Sequence, residues 1–395
     1  MRRPGHLNPT LAGWAVLVPV LALCAVGIMS LLSLGSDQGQ ALGRLAVRQV
    51  AYVLAGLALV FLILTTHYQR IGDWSYLLFA VLVALLSILV LARFVPIPLI
   101  PKLRGACRWI VLPGFSVQPS EVMKVVYVLA LAYYLRYRKN YRNLPGLVGP
   151  FALTLLPIVL ILLEPDLGMS VLLLPVLFAM LFAAGAKKRH LVPIVMAGLA
   201  AVPLLYLFVL ADYQKTRIHV VLRQNDDDPR WRMDEGYQLH HSKTALASGR
   251  ILGTTFGDGW MAGPYLRHRI LPDQHNDFIF SIIAHQWGMV GALVVLACYA
   301  LIVLVGFEIA TLTNDPFGRL LAVGLSVMLA SQTLVNVGMT MGLTPTTGLN
   351  LPFVSSGGSS MLTNFAAVGL LINIAQRRPV VLAPKPFEFS EEDES

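Results

Sequence analysis

Charge is scarce in this sequence. Lys, Arg, Asp and Glu make up 13% of its 395 residues, against roughly 25% in a soluble domain. With 56% hydrophobic residues beside it, that deficit excludes a water-soluble enzyme, a disordered chain and a secreted disulfide scaffold. Cysteine is scarcer still. Cys24, Cys107 and Cys298 lie far apart without C-x-x-C spacing, so neither a metal site nor a disulfide framework is indicated. Acidic side chains are outnumbered, giving a formal charge of +9. In a soluble protein that excess would point to nucleic acid. Here no nucleic-acid partner is expected, because cytoplasmic loops of membrane proteins are rich in Lys and Arg. The chain also lacks low-complexity linkers, a convincing internal repeat and a second soluble domain.

What is abundant is long apolar sequence. A bilayer-crossing helix needs roughly 20 mostly apolar residues. Ten such runs occur, at about 11–34, 46–66, 73–93, 120–136, 147–163, 168–185, 190–210, 278–306, 317–341 and 358–378. In lipid the backbone must satisfy its own hydrogen bonds, so the runs read as helices. A barrel would place polar residues at every second position, and Leu85-Leu86-Ser87-Ile88-Leu89-Val90-Leu91 does not. The first run is too long for a cleaved signal and no clean small-x-small site follows it. The expected fold is an all-α integral membrane protein of ten transmembrane helices over residues 1–378.

Basic residues set the expected orientation. Arg136, Arg138, Lys139 and Arg142 follow the fourth run, and Lys187, Lys188 and Arg189 the sixth. Arg2, Arg3, Arg377 and Arg378 flank the ends, whereas the turn after the fifth run holds Glu164 and Asp166 and no base. Both termini are therefore expected in the cytoplasm, with the acidic 379–395 tail disordered there. Two outer segments are more than turns. Residues 94–119 open with Phe94-Val95-Pro96-Ile97-Pro98-Leu99-Ile100-Pro101, apolar enough to touch lipid but too proline-rich for a regular span. Residues 211–277 form a large extracytoplasmic loop between helices 7 and 8, 67 residues with nine basic and nine acidic side chains. Long loops of this kind are usually functional.

Ionisable groups at a membrane edge are pointers to function. Glu121 and Lys124 are three apart and share a helix face, near Arg108 and Trp109 in sequence. A structural ion pair and an interfacial arginine are the plainer alternatives. Pro119 opens a helix that Ser120 or Gln118 would cap. Glu164-Pro165-Asp166 is a tight turn in which Asp166 would cap the next span. Asp277 precedes an apolar run, where it is either an N-cap, a catalytic base or both. Residues 347–360 are Gly/Ser-rich at a helix start, so their backbone N–H groups suit an anion, although a re-entrant turn explains the glycines equally. The segment is no P-loop, since G-K-[ST] is missing. His240 and His241 have no third ligand spaced to join them.

Five patterns occur in order: G-A-x-R-W from Gly105, Q-P-S-E-x-x-K from Gln118, E-P-D-x-G from Glu164, L-P-x-x-x-x-D-F-I-F from Leu271 and T-G-x-x-L-P-F-x-S-x-G-G-S from Thr347. Together with ten spans they resemble the RodA/FtsW/SpoVE (SEDS) family of shape, elongation, division and sporulation proteins. The likeness covers the chain to residue 378, and Asp212–Ile218 looks more like the RodA branch. Four positions depart from the family pattern. Gln286 stands where an acid is usual, His240-His241-Ser242 replaces Gln-Ser, Asn350 a common Pro, and Ser356 a common Tyr.

The resemblance implies a peptidoglycan glycosyltransferase in the bacterial cytoplasmic membrane. It would polymerise lipid II at the outer face, with inversion and release of polyprenyl diphosphate, beside a class B penicillin-binding transpeptidase. A sugar hydroxyl is a weak nucleophile, and Asp277 is carried over as the base that takes its proton. A diphosphate leaves readily once cations absorb its charge. Arg108, Lys124 and Arg217 are the candidates, with Glu121 orienting Lys124 and Ser355 and Ser359 joining the substrate site. Glu164 and Asp166 are structural, or ligands of a divalent ion, Mg or Mn, if one assists. The segment holding Ile97 and Leu99 would lie along the bilayer and guide the prenyl tail. Two rivals remain: a lipid II flippase, since paired charges and broken helices suit transport, and a non-catalytic scaffold that recruits the transpeptidase.

Overall fold

The computed structural model describes residues 9–35, 40–102, 106–113, 115–138, 142–208, 210–224, 231, 234–254 and 276–377. The expected disorder of the acidic tail, and most of residues 255–277, fall outside this set. Thirteen helices are described: α1 (Pro9–Gly35), α2 (Gln40–Thr65), α3 (Tyr68–Asp73), α4 (Ser75–Leu91), α5 (Pro119–Leu135), α6 (Val148–Leu163), α7 (Leu167–Ala184), α8 (Lys188–Phe208), α9 (Asp212–Leu222), α10 (Tyr237–Ser248), α11 (Ile279–Leu312), α12 (Pro316–Met341) and α13 (Gly358–Gln376).

Each of the ten apolar runs coincides with a helix. Among the described residues, eight helices are long and apolar enough to cross a membrane. The other two, α4 and α5, have 17 residues each, and α5 carries Glu121 and Lys124 in its first turns. The protein is an all-α membrane protein in its spans, with one departure outside them. In the proline-rich segment, β1 (Ile110–Leu112) pairs antiparallel with β2 (Phe115–Val117), and Ile97 bridges Ile100. Residues 211–277 also hold more than loop, because α9 and α10 lie within them.

α12 and α13 form the centre: 72% and 83% of their most apolar windows are buried, against 6% for α8 at the periphery. α13 packs against α2, α1 and α5, and α12 against α11, α7 and α5. Proline at the first position and a side-chain cap from Asp315 to the N–H of Gly318 (2.9 Å) start α12. That end of the bundle is tied by Tyr68 donating to Asp315 (3.0 Å) and by Asn373 donating to the carbonyls of Ile63 and Thr66 (2.6 Å each). α11 is broken at Gly288 (φ 67). The freed N–H groups of Met289 and Val290 donate to the carbonyls of Arg250 and Ile251 (2.9 and 3.2 Å), which clamps α10 and its following turn to α11. Gln286, the residue in place of an acid, is buried and donates to Ser33 of α1 (2.5 Å).

Candidate active site

The opposite end gathers the sequence motifs. Pro119 occupies the first turn of α5 with Gln118 at the N-cap position, but no side chain caps this helix. Neither Ser120 nor Gln118 acts as the expected cap, because the Gln118 amide is turned elsewhere. It donates to Ser120 Oγ (3.0 Å) and to Asp166 Oδ2 (3.3 Å). Asp166 caps α7 as expected, its Oδ1 accepting the N–H of Met169 (3.2 Å).

The turn 164–166 is held from outside by its carbonyls. Arg108 donates through Nε to the Glu164 carbonyl (2.7 Å) and through its terminal nitrogen to that of Pro165, where Tyr213 of α9 also donates (2.9 Å). Arg108 is thus engaged with backbone and is no free snorkeller. The Glu164 carboxyl is fully buried, and among the described residues neither oxygen has a hydrogen-bond partner. Burial pushes it up to about 9, the neighbouring Asp166 adds to the rise, and Arg108 opposes it. Asp166 is also raised, first by burial; Arg108 and the Met169 N–H pull it down, Glu121 pushes it up, and Arg217 pulls it down. Arg108, Glu121 and Arg217 therefore share one electrostatic neighbourhood around Asp166.

Glu121 and Lys124 form the ion pair that their spacing allows (2.5 Å), and both are buried. Lys124 is not exposed as a phosphate-binding cation would be: its ammonium also donates to Gln332 Oε1 of α12 (2.9 Å). From Gln332 a polar ladder continues. Its Nε2 donates to the Asn350 carbonyl (2.8 Å). One turn on, Asn336 Nδ2 donates to the carbonyls of Leu349 (2.6 Å) and Asp277 (3.0 Å). Gln332 and Asn336 were not singled out from the sequence. Their signal was two amides four apart on one face of an apolar span, where a polar side chain needs a partner.

Asp277 is half-buried in the turn before α11. Phe278, not Asp277, holds the N-cap position of that helix, and no side chain caps it. The capping alternative is therefore set aside. The Asp277 Oδ2 lies 3.6 Å from where a side chain on Gly348 would begin. Gly348 has φ +76, a conformation that glycine adopts without strain. Arg217 of α9 donates to the Thr346 carbonyl of the same loop (2.7 Å). Gly168 lets the loop pass over the start of α7, since a methyl there would sit 2.9 Å from the Thr347 carbonyl oxygen. The Q-P-S-E-x-x-K, E-P-D-x-G, D-F-I-F and T-G-x-x-L-P-F motifs thus converge on residues 346–350.

The two nominated serines do different work. Ser355 donates to the Asn276 carbonyl (2.6 Å) and accepts the Leu351 N–H (2.8 Å). Ser359 donates to the Ser116 carbonyl (2.9 Å) and accepts the Gln118 N–H (3.1 Å). Both fasten loops together and have little left for a substrate. Among the described residues, no group of three or more His, Cys, Asp or Glu converges as metal ligands. The Asp166 oxygens both accept hydrogen bonds, from the Gln118 amide and the Met169 N–H. His240 and His241 stack edge to face on α10, with rings 5.4 Å apart.

The family profile FTSW_RODA_SPOVE, described as Cell cycle protein, matches residues 11–379. The chain is 35% identical over 334 residues to "Probable peptidoglycan glycosyltransferase FtsW" of Geobacter sulfurreducens (strain DL-1 / KN400), covering 84% of this chain and 85% of that one. It is 31% identical over 376 residues to "Peptidoglycan glycosyltransferase MrdB" of Escherichia coli (strain K12), covering 95% of both. Its fold is similar to a chain from a solved peptidoglycan synthase complex (TM-score 0.77, 29% identity, 93% of this chain and 98% of that one). It is also similar to the crystal structure of Thermus thermophilus rod shape determining protein RodA (TM-score 0.66, 27% identity, 92% and 97%). On sequence and fold together, the chain belongs to the FtsW/RodA/SpoVE family.

Proposed function

We propose that this membrane protein is a peptidoglycan glycosyltransferase that joins lipid II units into glycan at the outer face of the bacterial cytoplasmic membrane. In this reading α4 and α5 complete ten spans, both termini are cytoplasmic, and residues 164–166, 211–277 and 343–357 face outward. The observation that carries it is the convergence of Asp277, Arg108, Arg217 and the Glu121–Lys124 pair on one loop-built end of the bundle.

The chemistry follows from the substrate. The 4-hydroxyl of one lipid-linked sugar attacks C1 of another from the side opposite its diphosphate. The hydroxyl proton passes to Asp277, the new C1–O bond forms, and the polyprenyl diphosphate departs with the electron pair of the broken bond, inverting C1. A second carboxylic acid is unnecessary, because diphosphate leaves without protonation, unlike the alcohol of a glycoside. Positive charge must instead meet the departing group. Arg108 and Arg217 supply it from the outer rim, and Arg suits a phosphate through bidentate contacts. Lys124 acts from deeper: held by Glu121 and Gln332, it polarises the ladder that reaches the Asp277 backbone. The exposed Phe94, Val95 and Leu99 give the prenyl tail an apolar surface beside the rim. A class B penicillin-binding transpeptidase is the natural partner, since it crosslinks the strands this site would make.

The test uses purified chain and fluorescent lipid II in detergent micelles, where there is no bilayer to flip across. Polymeric glycan there supports the enzyme. No polymer in micelles, with lipid II translocated in vesicles, supports a flippase instead, and neither activity supports a scaffold.

A further inference from the structure

α11 is two helical pieces joined at Gly288, where the backbone turns to φ 67 and ψ −164. The hydrogen-bond ladder is interrupted there, so the angle between the pieces is set by what they pack against. The outer piece, residues 279–287, begins just after the Asp277 turn. Its angle at Gly288 therefore decides where the Asp277 carboxylate stands. At about 1.5 Å per helical residue, Gly288 lies roughly 15 Å from that turn, and a tilt of about 4° moves the carboxylate by about 1 Å.

α10 and the turn after it set this angle. Gly249 and Gly253 bring the turn backbone to backbone with α11, since a side chain on either would collide with the carbonyl of Ala284 or of Gln286. Side chains then close the contact. Ser281 donates to Ser242 of α10 (2.7 Å), whose own hydroxyl proton goes to the Thr340 carbonyl of α12 (2.8 Å). Thr254 donates to the His285 carbonyl (3.2 Å). His285 is 1% exposed, and its Nδ1 lies 2.7 Å from Ser248 Oγ. The Ser248 hydroxyl gives its one proton to the Ala245 carbonyl (2.7 Å). It therefore accepts from His285, whose ring carries its proton on Nδ1.

His285 is the one ionisable side chain in residues 279–287. The plain alternative is a core histidine whose ring only fills space, a task that an apolar side chain performs without a polar atom to satisfy. Its place argues for more. It stands three residues before the break, and its hydrogen bond joins the two bodies whose relative angle matters. α10 is itself anchored. Lys243 donates to Gln224, and the Gln224 amide donates to the Gly342 carbonyl at the end of α12 (3.2 Å each). Locking α11 to α10 thus references Asp277 to the start of the loop that it faces.

We infer that His285 is a positioning residue for the glycosyl transfer: by donating to Ser248 it locks residues 279–287 to α10 and fixes where the Asp277 carboxylate meets the attacking hydroxyl. This role rests on the reading of Asp277 as the base. His285 is buried away from substrate and acts through the angle at Gly288.

Two replacements separate the donor from the bulk of the ring. Asparagine places an N–H where Nδ1 stands, and glutamine places one nearer Nε2. In the purified full chain, His285→Gln and Ser248→Ala should each lower kcat for glycan formation from lipid II by roughly 10- to 100-fold, the effect of a displacement of about 1 Å, with KM within about two-fold of wild type. His285→Asn should recover most of that loss. Hydrogen exchange read by mass spectrometry supplies a measurement free of turnover. The amides of Met289 and Val290, which donate across the contact, should exchange faster in His285→Gln and Ser248→Ala and at the wild-type rate in His285→Asn. Equal losses in the asparagine and glutamine variants would mean that the ring serves packing alone, and would overturn the positioning role. So would an unchanged kcat in His285→Gln, or a loss carried by KM. If His285→Gln does not fold, Ser248→Ala decides: a kcat loss with faster exchange supports the role, and wild-type behaviour overturns it. A wild-type chain that makes no glycan would refute the enzymatic reading and take the role with it. Unchanged exchange in both variants would refute the lock and leave that reading intact.

Discussion

One amide group of Asn336 donates to the Asp277 carbonyl at 3.0 Å and to the Leu349 carbonyl at 2.6 Å. A single buried side chain on α12 thus sets where the candidate base stands relative to the loop that faces it. Replacing it with leucine leaves two carbonyls unsatisfied, at about 1–3 kcal/mol each. The carboxylate would also shift, and a displacement of about 1 Å can cost 100-fold in rate. Asn336→Leu should therefore lower kcat for lipid II polymerisation by roughly 10- to 100-fold with little change in KM. Steady-state kinetics on the purified variant checks this. Asn336→Asp should not rescue it, because a carboxylate has no N–H to donate.

Gly168→Ala tests the crossing of the 346–350 loop over α7. The added methyl would lie 2.9 Å from the Thr347 carbonyl oxygen and 2.8 Å from Leu349 Cγ, so backbone must move. Overpacking of this kind costs about 1–3 kcal/mol. The variant should melt at lower temperature and lose several-fold in turnover. Thermal unfolding in detergent, followed alongside activity, measures both. Normal values would mean that the loop tolerates displacement.

Much of the fold was legible because a bilayer imposes a length, and runs such as 168–185 and 317–341 announce themselves. The Glu121–Lys124 pair and the Asp166 cap were legible too, because both depend on spacing within one helix. What was hidden depends on tertiary partners. Gln332 and Asn336 look like two tolerated amides until the loop carbonyls they hold are in place. Arg108 and Arg217 read as cations for a ligand, yet each is also committed to a backbone carbonyl. Asp277 was one residue short of the N-cap position, a boundary that apolar content alone does not locate. The mixed charges of 211–277 masked α9 and α10, whose faces meet the protein rather than lipid.

Glu164 gives a pH signature. Its carboxyl is raised to about 9 when folded, from about 4.5, so between those values the folded state binds more protons than the unfolded state. Stability should then fall as pH rises through that window. Glu164→Gln removes the titration. Relative to wild type it should grow more stable as pH rises from about 4.5 toward 8, because ionisation of Glu164 favours the unfolded wild-type chain and the variant has no such proton to lose. Melting curves of both proteins across this range check the sign. A variant whose stability relative to wild type falls over this range would show that the carboxylate form is the one the fold needs.

The account turns on the Asp277 carboxylate as the group that takes the hydroxyl proton. Asp277→Asn keeps the side-chain shape and removes the base, and general-base catalysis typically contributes about 100- to 10,000-fold. The decisive measurement is the initial rate of glycan formation from lipid II by this variant, with its melting temperature and lipid II affinity matched to wild type. A loss of at least 100-fold is expected; a rate within a few-fold of wild type would show that the proton goes elsewhere.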